Sequence, residues 1–191
     1  GKSFNMARTV QYSQYLPGRL MQVSANEQLA FRTELCFISS RTALVKAEVV
    51  NQSTQPITLT WTWRGGAFPN ITSCRFEDKT ATICRLKDSL QVAIRFATAS
   101  QLKPVGKDSL LVTEKQGRVL QPGERCTAHY LQTVALPKED LAAELARWEA
   151  VDTDKCLEEN ATRWNQWLAT LLNGKGKYLS DNLYRRILVK A

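Results

Sequence analysis

The spacing of apolar residues changes once along this chain of 191 residues, close to Pro137. Before Pro137, apolar side chains mostly recur at every second position, which is the period of a half-buried β-strand. After Pro137 they recur at intervals of three and four, which is the period of an amphipathic helix. This change predicts a β-rich domain over residues 1–136 and a helical linker over residues 137–191.

Several segments of the first part carry a stripe of alternating apolar residues that would face a core. The stripes are Leu29, Phe31, Leu35 and Phe37; Ala43, Val45, Ala47 and Val49; Ile57, Leu59, Trp61 and Trp63; Leu90, Val92, Ile94 and Phe96; and Cys126, Ala128, Tyr130, Gln132 and Val134. Two further short strands are expected on either side of a turn at residues 77–79. Strands of this length joined by polar turns predict an antiparallel β-sandwich.

The second part of the chain predicts helices. Pro137 fits the first turn of one helix, where its missing N–H costs nothing, and residues 152–154 offer the start of another. The apolar face of this second helix includes Trp164 and Trp167. A last helical segment, from Ser180 to Ala191, has no stop signal before the sequence ends. We therefore expect the chain to be one part of a larger protein and to function as a part.

The formal net charge of +8 raises the question of an anionic partner. A nucleic-acid-binding protein concentrates such charge on one face and interleaves aromatic residues. Here the basic residues are spread between a predicted loop region and the C-terminal end: Lys103, Lys107, Lys115 and Arg118, then Lys175, Lys177, Arg185, Arg186 and Lys190. This spread favours a solvated basic surface over nucleic-acid binding. No apolar run approaches the roughly 20 residues of a membrane-spanning helix, so we expect neither a nucleic-acid nor a membrane partner.

Residue types that often carry catalysis or bind metals are poorly placed for either role. His129, the only histidine, follows Cys126 by three positions on a predicted strand, so the two side chains should point to opposite faces. The adjacent carboxylates at 139–140 and 158–159 do not face each other on a helix. The sequence has no glycine-rich phosphate loop and no Cys-x-x-Cys pair. It therefore predicts no catalytic residue, no metal site and no cofactor in this chain.

Two local features concern covalent modification: a possible disulfide and possible glycosylation sites. The five cysteines are an odd number, and Cys74 and Cys84 could face each other across the predicted hairpin. Two separate thiols are favoured there over a disulfide. Asn51, Asn70 and Asn160 each begin an Asn-x-Ser/Thr sequon, although glycosylation would require a eukaryotic secretory context.

Tryptophans supply the one candidate binding surface. Trp61 and Trp63 share a predicted strand face, and with Arg64 they could form a platform for a sugar ring. Because Ile57 and Leu59 lie in the same stripe, the pattern is more typical of a sandwich core. The sequence leaves both interpretations open.

Three short islands of sequence resemble one family. They are Pro17-Gly18-Arg19-Leu20-Met21-Gln22, Ser39-Ser40-Arg41-Thr42-Ala43-Leu44-Val45 and Arg163-Trp164-Asn165-Gln166-Trp167-Leu168. Their order resembles the N-terminal region of bacterial α-glucosidases of glycoside hydrolase family 63, over most of residues 11–172.

The resemblance implies a galactose-mutarotase-like antiparallel β-supersandwich, then a helical linker, then a catalytic (α/α)6 barrel. Such enzymes hydrolyse α-glucosidic bonds with inversion by means of an acidic pair on the barrel, so no catalytic residue transfers to this chain. The first island comes so early that we expect initial strands of the supersandwich to be absent. The analogy also implies a gluco-oligosaccharide at the domain interface and a periplasmic or secreted location.

Three functional hypotheses follow. The first is the non-catalytic N-terminal part of an inverting α-glucosidase, which supports the barrel and lines one side of the sugar cleft. The second is a free-standing carbohydrate-binding β-sandwich that uses Trp61, Trp63 and Arg64. The third, and least favoured, is a basic module for anionic partners, whose binding would weaken steeply with salt.

Overall fold

A computed structural model describes residues 4, 8–16, 18–66, 71–85, 88–98, 100–104 and 109–172. The expected helix from Ser180 to Ala191, the sequon at Asn70, and Lys107 lie outside the described residues. Within the described ranges, thirteen strands precede two helices. The predicted order, with strands first and helices after them, is confirmed.

The strands form one large antiparallel sheet and two small ones. The large sheet contains β1 (Val10–Leu16), β2 (Arg19–Ala25), β3 (Leu29–Phe37), β4 (Thr42–Asn51), β7 (Ile71–Glu77), β8 (Thr80–Arg85), β9 (Gln91–Phe96) and β13 (Arg125–Ala135), in the order β1-β2-β3-β4-β13-β9-β8-β7. A three-stranded sheet contains β10 (Ser100–Pro104), β11 (Ser109–Glu114) and β6 (Thr62–Gly66), and a two-stranded sheet contains β12 (Arg118–Leu120) and β5 (Ile57–Leu59). The helices are α1 (Leu141–Arg147) and α2 (Thr153–Leu172).

The two small sheets pack on one face of the large sheet, called here the inner face. Ile94 and Phe96 of the large sheet pack with Val112 of the three-stranded sheet. Val49 packs with Leu120 of the two-stranded sheet. The molecule is therefore a β-sandwich in which one layer is divided in two.

Cross-strand pairing places the predicted stripes on this inner face. Val45 lies opposite both Leu35 and Tyr130, and Tyr130 lies opposite Phe96. Residues that oppose each other directly in a sheet share a face, so the stripes of β3, β4, β13 and β9 form one continuous surface. Phe37 departs from its expected burial: it lines a surface groove, and its side chain is 60% exposed.

The helices cover the opposite, outer face. Cys36, Leu44 and Leu131 of the large sheet form a buried cluster with Leu157 of α2. Along each strand these sheet residues alternate with the residues of the predicted stripes, so their side chains point to the outer face. The stripes therefore identified one buried face correctly and missed the second, because a sheet covered on both sides carries apolar residues at both sets of positions.

Helix α1 begins after Asp140 rather than at Pro137. Pro137 lies in a turn, and the Asp140 carboxylate caps the helix by accepting a hydrogen bond from the Ala143 N–H (Oδ1···N 3.0 Å). A side-chain acceptor of this kind satisfies a free N–H of the first turn, which proline cannot do. The predicted start of α2 is confirmed, since Asp152 Oδ1 accepts a hydrogen bond from the Lys155 N–H at 3.0 Å.

The strand predicted over residues 57–64 is interrupted. It divides at residues 60–61 into β5, which pairs with β12, and β6, which pairs with β11. The predicted loop region after residue 99 also contains strands, since Lys103 belongs to β10 and Arg118 to β12. Both corrections concern the small sheets, whose pairing partners are distant in the sequence and leave no mark on local alternation.

The hairpin of β7 and β8 forms as predicted, but its cysteines are not bridged. Cys74 lies opposite Ile83, and Cys84 lies opposite Ser73. The two cysteines are thus offset by one position, and no disulfide joins them.

Two of the three sequons are buried. Asn51 Nδ2 donates hydrogen bonds to Leu120 O (2.9 Å) and Gln55 O (2.8 Å). Asn160 Nδ2 donates to Gly18 O at 2.7 Å. Since both amide nitrogens are buried donors, these asparagines serve the fold and are closed to glycosylation in the native state.

Candidate functional site

A cavity of about 260 Å³ lies between the inner face of the large sheet and the small sheets. It is called here the inter-sheet cavity. Small side chains make room for it, because Ala47 of β4 lies directly opposite Ala128 of β13. Thr33 of β3 lies opposite Ala47 on the other side. Three small side chains in neighbouring strands thus leave a space that larger side chains would fill.

Aromatic side chains from two core clusters border the inter-sheet cavity. Phe31 and Trp61 pack in one cluster, with ring centroids 5.8 Å apart. Trp63, Phe96 and Tyr130 pack in the other, with Trp63 5.7 Å from Phe96 and 5.9 Å from Tyr130. These separations are typical of edge and tilted ring contacts. The cavity therefore lies between two apolar clusters of the inner face.

Three buried polar atoms on residues that line the cavity have no hydrogen-bond partner among the described residues. They are Thr33 Oγ1, Trp61 Nε1 and Glu114 Oε2. The other carboxylate oxygen of Glu114, a residue only 9% exposed, pairs with Arg118 Nη2 at 3.1 Å. Buried polar groups nearly always have a partner in folded proteins. The three atoms are themselves closed to a water-sized probe, so the cavity is the candidate binding site because of its concave, largely aromatic lining.

The residues predicted as a sugar platform all belong to the lining of this cavity. Trp61 and Trp63 are half-buried, whereas Arg64 is exposed. The Trp63 side chain hydrogen-bonds the Tyr130 hydroxyl. Consecutive residues of a strand point to opposite faces, so Arg64 does not share the face of Trp63. The use of these three residues to bind a sugar stays a prediction.

Neither Thr33 nor Glu114 stands out in the sequence as a site residue. Thr33 lies in the apolar stripe of β3, where it reads as an ordinary strand residue. Glu114 ends a short strand, and carboxylates at such positions are usually solvated. The one sequence signal was Arg118, four positions further on, which supplies the partner that a buried carboxylate needs.

His129 and Cys126 point to opposite faces of β13, as predicted. Cys126 packs in an inner-face cluster. His129 lies opposite Lys46, which pairs with Asp154 of α2 on the outer face. Burial, aided by the Lys46 ammonium, lowers the pKa of His129, so its imidazole is neutral at neutral pH. The two side chains cannot form a nucleophile pair, because the sheet lies between them.

The described residues offer neither a metal-binding cluster nor a membrane-spanning helix. Within those ranges no group of three or more His, Cys, Asp or Glu is arranged to hold a metal ion. Neither of the two described helices is apolar enough over its length to cross a membrane.

A second polar site fastens α1 to the outer face. Glu144 Oε1 accepts hydrogen bonds from Ser39 Oγ (2.7 Å), Thr42 Oγ1 (2.8 Å) and Trp148 Nε1 (3.0 Å). Thr133 Oγ1 lies 3.0 Å from Thr42 Oγ1 and is the donor, since the Thr42 proton points to the carboxylate. The bond from Ser39 is the main reason that the pKa of Glu144 lies below its ordinary value. The network is internally satisfied and lies away from the cavity, so it stabilises the fold.

Helix α2 is fastened to the turn between β1 and β2. The Asn160 side chain donates to Gly18 O (2.7 Å) and accepts from Arg163 Nη2 (2.7 Å). Gly18 has φ +68°, and the Trp164 indole occupies the space that a Cβ atom would need. The first sequence island holds Gly18, the second holds residues 39–42, and the third holds Arg163 and Trp164. The first and third islands thus contact each other, and the second contacts α1 through Ser39 and Thr42. These contacts all lie where the helices meet the large sheet, a boundary called here the helix–sheet junction.

No family model matches the sequence, and no curated protein matches it. Among solved structures, a protein described as a kojibiose phosphorylase from the human microbiome aligns with a TM-score of 0.59 and 9% identity. The alignment covers 77% of this chain and 23% of that protein. This chain therefore spans about a quarter of its neighbour's length, and identity this low shows a shared fold alone.

Two further solved structures align with lower scores. A protein described as an aldose 1-epimerase from Escherichia coli K12 aligns with a TM-score of 0.49 and 10% identity, over 66% of this chain and 68% of that one. A galactose mutarotase-like protein from Clostridium acetobutylicum aligns with a TM-score of 0.39 and 10% identity, over 67% and 66%. Scores this low carry no further weight. The predicted fold class, an antiparallel β-sandwich followed by helices, is confirmed, and the matched proteins bear the names of carbohydrate-active proteins.

Proposed function

We propose that this chain is the non-catalytic β-domain and helical linker of a carbohydrate-active enzyme that acts on α-glucosidic bonds. The observation that carries the proposal is the helix–sheet junction. The three islands that resemble family 63 α-glucosidases are separated in the sequence, yet they meet at this one boundary.

The fold comparison supports the same proposal. The chain aligns with 23% of a protein described as a kojibiose phosphorylase. Kojibiose is a disaccharide of glucose with an α-glucosidic bond, and an enzyme of that name must hold its catalytic residues somewhere in its length. Because this chain aligns with less than a quarter of that protein, we propose that it supports a catalytic part outside the aligned region.

The finer proposal is a role in a family 63 inverting α-glucosidase, with the acidic pair on an (α/α)6 barrel. Trp167 of α2 is 62% exposed, and its ring packs at 5.3 Å from that of Trp164. Exposed indoles are enriched at protein interfaces, so we place the barrel contact on this face of α2. A gluco-oligosaccharide at the domain boundary and a periplasmic or secreted location belong to the same proposal.

The test compares this chain with the same chain extended by its downstream coding sequence. Both are incubated with a panel of α-linked glucosides that includes kojibiose, with and without inorganic phosphate. We expect glucose release by the extended protein only, with the β-anomer as first product by NMR. Glucose release by the 191-residue chain alone would refute the non-catalytic role. If turnover requires inorganic phosphate, the reaction of the extended protein is phosphorolysis and not hydrolysis.

A variant at Trp167 tests the contact with the barrel. We expect Trp167→Ala to lower the melting temperature of the extended protein more than that of the 191-residue chain, because in the latter the indole is 62% exposed and packs on the Trp164 ring. Glu158→Ala, at an exposed position of the same helix, is the matched control and should change neither. Equal changes in the melting temperature of the extended protein for the two substitutions would refute the proposed contact between Trp167 and the barrel.

A free-standing carbohydrate-binding sandwich is the second candidate, favoured by one observation. Trp61 and Trp63 belong to different core clusters but line the same cavity. If this candidate holds, the chain alone binds gluco-oligosaccharides, and Trp61→Ala or Trp63→Ala abolishes that binding while the protein stays folded. Unfolding of both variants would assign the two indoles to the core.

A further inference from the structure

We propose that the inter-sheet cavity binds a small neutral molecule built of one or two apolar rings. This inference goes beyond the proposed function, because it gives the interior of this chain a ligand of its own and needs no catalytic domain. It also differs from the second candidate function, in which the same cavity would hold a sugar. Four properties of the cavity support it: the aromatic walls, the closure of the polar atoms, the volume and the opening to solvent.

The walls of the cavity are mainly apolar. Val45 of the large sheet and Val112 of the three-stranded sheet contribute aliphatic surface from the two opposite layers. Aromatic rings prefer edge and offset contacts with another ring, and each such contact adds to the benefit of burying apolar area. A ligand that is itself a flat apolar ring therefore matches these walls. Five aromatic side chains line the cavity: Phe31, Trp61, Trp63, Phe96 and Tyr130.

Polar groups of the lining are poorly available to a ligand. Thr33 Oγ1, Trp61 Nε1 and Glu114 Oε2 are closed to a water-sized probe, so a ligand hydroxyl cannot reach them without a change in the packing. The Tyr130 hydroxyl is already hydrogen-bonded to Trp63. A molecule that buried several hydroxyls here would lose their hydrogen bonds to water, and a charged group would lose still more. The lining therefore favours a neutral, apolar ligand over a sugar.

The volume of the cavity limits the ligand to one or two rings. An apolar cavity of about 150 Å³ is large enough for benzene, and this one measures about 260 Å³. It is still smaller than the roughly 300 Å³ at which pockets for drug-sized ligands begin. Any water within apolar walls has few hydrogen-bond partners, and its displacement by an apolar group favours binding.

The cavity reaches the surface beside β6. Thr62 and Arg64 are exposed residues of this strand, and both belong to the lining. Because exposed residues share the lining with buried ones, a small molecule can enter without unfolding of the sandwich. Binding should therefore be reversible and fast enough to follow by titration.

Isothermal titration of the 191-residue chain with indole, purine and D-glucose tests the ligand class. Indole and purine have fused rings of the same size, but indole carries one polar N–H whereas purine carries four ring nitrogens. We expect saturable 1:1 binding of indole, at least about tenfold weaker binding of purine, and no competition by D-glucose. Absence of saturable indole binding, or purine binding as tight as that of indole, would overturn the proposal. Displacement of indole by D-glucose would also overturn it and would favour the sugar-binding candidate.

Tryptophan signals locate the bound indole without any change to the cavity. The chain has five tryptophans, of which Trp61 and Trp63 line the cavity, while Trp148, Trp164 and Trp167 belong to the helical part. In protein labelled with ¹⁵N at the tryptophan rings, we expect unlabelled indole to shift the Trp61 and Trp63 Nε1–H signals, with the same Kd as in calorimetry. Shifts confined to the helical tryptophans would place the ligand on the helices and overturn the proposal.

Ala128→Val tests the site by filling it. Ala128 lies in the large sheet at the cavity, so the larger side chain takes space that the ligand needs. We expect the affinity for indole to fall at least about tenfold, while the melting temperature of the unliganded protein stays level or rises. Thr127→Val, at the next position of β13 and exposed, is the matched control and should leave the affinity unchanged.

A second filling variant guards against a trivial loss of folding. Ala47 lies directly opposite Ala128 in the neighbouring strand and also lines the cavity. Ala47→Val therefore makes the same test from β4, and we expect the same loss of affinity for indole. Wild-type affinity in either variant, when that variant is folded, would show that indole binds elsewhere and would overturn the proposal.

Discussion

Replacement of Gly18 by alanine tests how far the helix–sheet junction depends on one residue without a side chain. Gly18 has φ +68°, where an L-residue with a Cβ atom costs about 1–2 kcal/mol. The new Cβ would also overlap the Trp164 indole. Overpacking of this kind typically costs about 1–3 kcal/mol. The lower entropy of the unfolded alanine chain returns about 0.4–1 kcal/mol, which leaves a net loss of about 1–4.5 kcal/mol.

Gly123 provides a matched control. It has φ +78°, and no atom lies within 4 Å of the position that its Cβ would occupy. Gly123→Ala therefore pays the conformational cost alone, and the same entropy gain reduces its net loss to about 0–1.5 kcal/mol. The difference between the two variants isolates the overlap with Trp164. Urea unfolding of each variant, with the midpoint and slope compared to wild type, measures both free energies.

Removal of the indole completes the test. In a Trp164→Ala background the Gly18→Ala substitution no longer meets the ring, so we expect its cost to fall to that of Gly123→Ala. The double-mutant cycle should then give a coupling of about 1–3 kcal/mol. Equal losses for Gly18→Ala and Gly123→Ala in the wild-type background, or a coupling near zero, would refute the reasoning that α2 docks through Gly18.

Three further predictions concern single side chains. Hydrogen bonds, chiefly the one from Ser39, hold the pKa of Glu144 below its ordinary value. The stability that they contribute is present above the pKa of Glu144 in the unfolded chain, and it is lost as pH falls through the pKa in the folded protein. Glu144→Gln should therefore flatten the acid side of a curve of unfolding free energy against pH, and an unchanged acid side would contradict this. Asn51→Asp should lower the free energy of unfolding by about 2–4 kcal/mol, because it places a carboxylate against two carbonyl oxygens. A loss below about 1 kcal/mol in chemical unfolding would count against the burial of this amide. Burial raises the pKa of the Cys36 thiol to about 11 and also raises that of Cys74, although Cys74 is exposed. A thiol reagent at pH 8 should therefore modify Cys74 in the native protein faster than Cys36, which should react only on unfolding; equal rates would refute this.

The candidate cavity shows how far a sequence can lead toward a site. The alternation over residues 57–64 correctly marked Trp61 and Trp63 as neighbours on an inward side, and both line the cavity. It could not reveal that the strand breaks at residues 60–61, because β5 and β6 pair with different partners. Thr33 and Glu114 reach the cavity from strands distant in the sequence, and pairing between distant strands is set by packing rather than by local pattern.

The sequence by itself determined the order of strands and helices, the inner face of the large sheet and the start of α2. These features follow from periodicity and capping, which act over a few residues and leave a local record. Tertiary structure alone decided which segments form the small sheets, that helices bury a second face around Leu44 and Leu131, and that Thr33 and Glu114 border the same cavity as Trp61. These depend on contacts between distant segments, and the free energy of such contacts belongs to the packed arrangement and to no single stretch of chain.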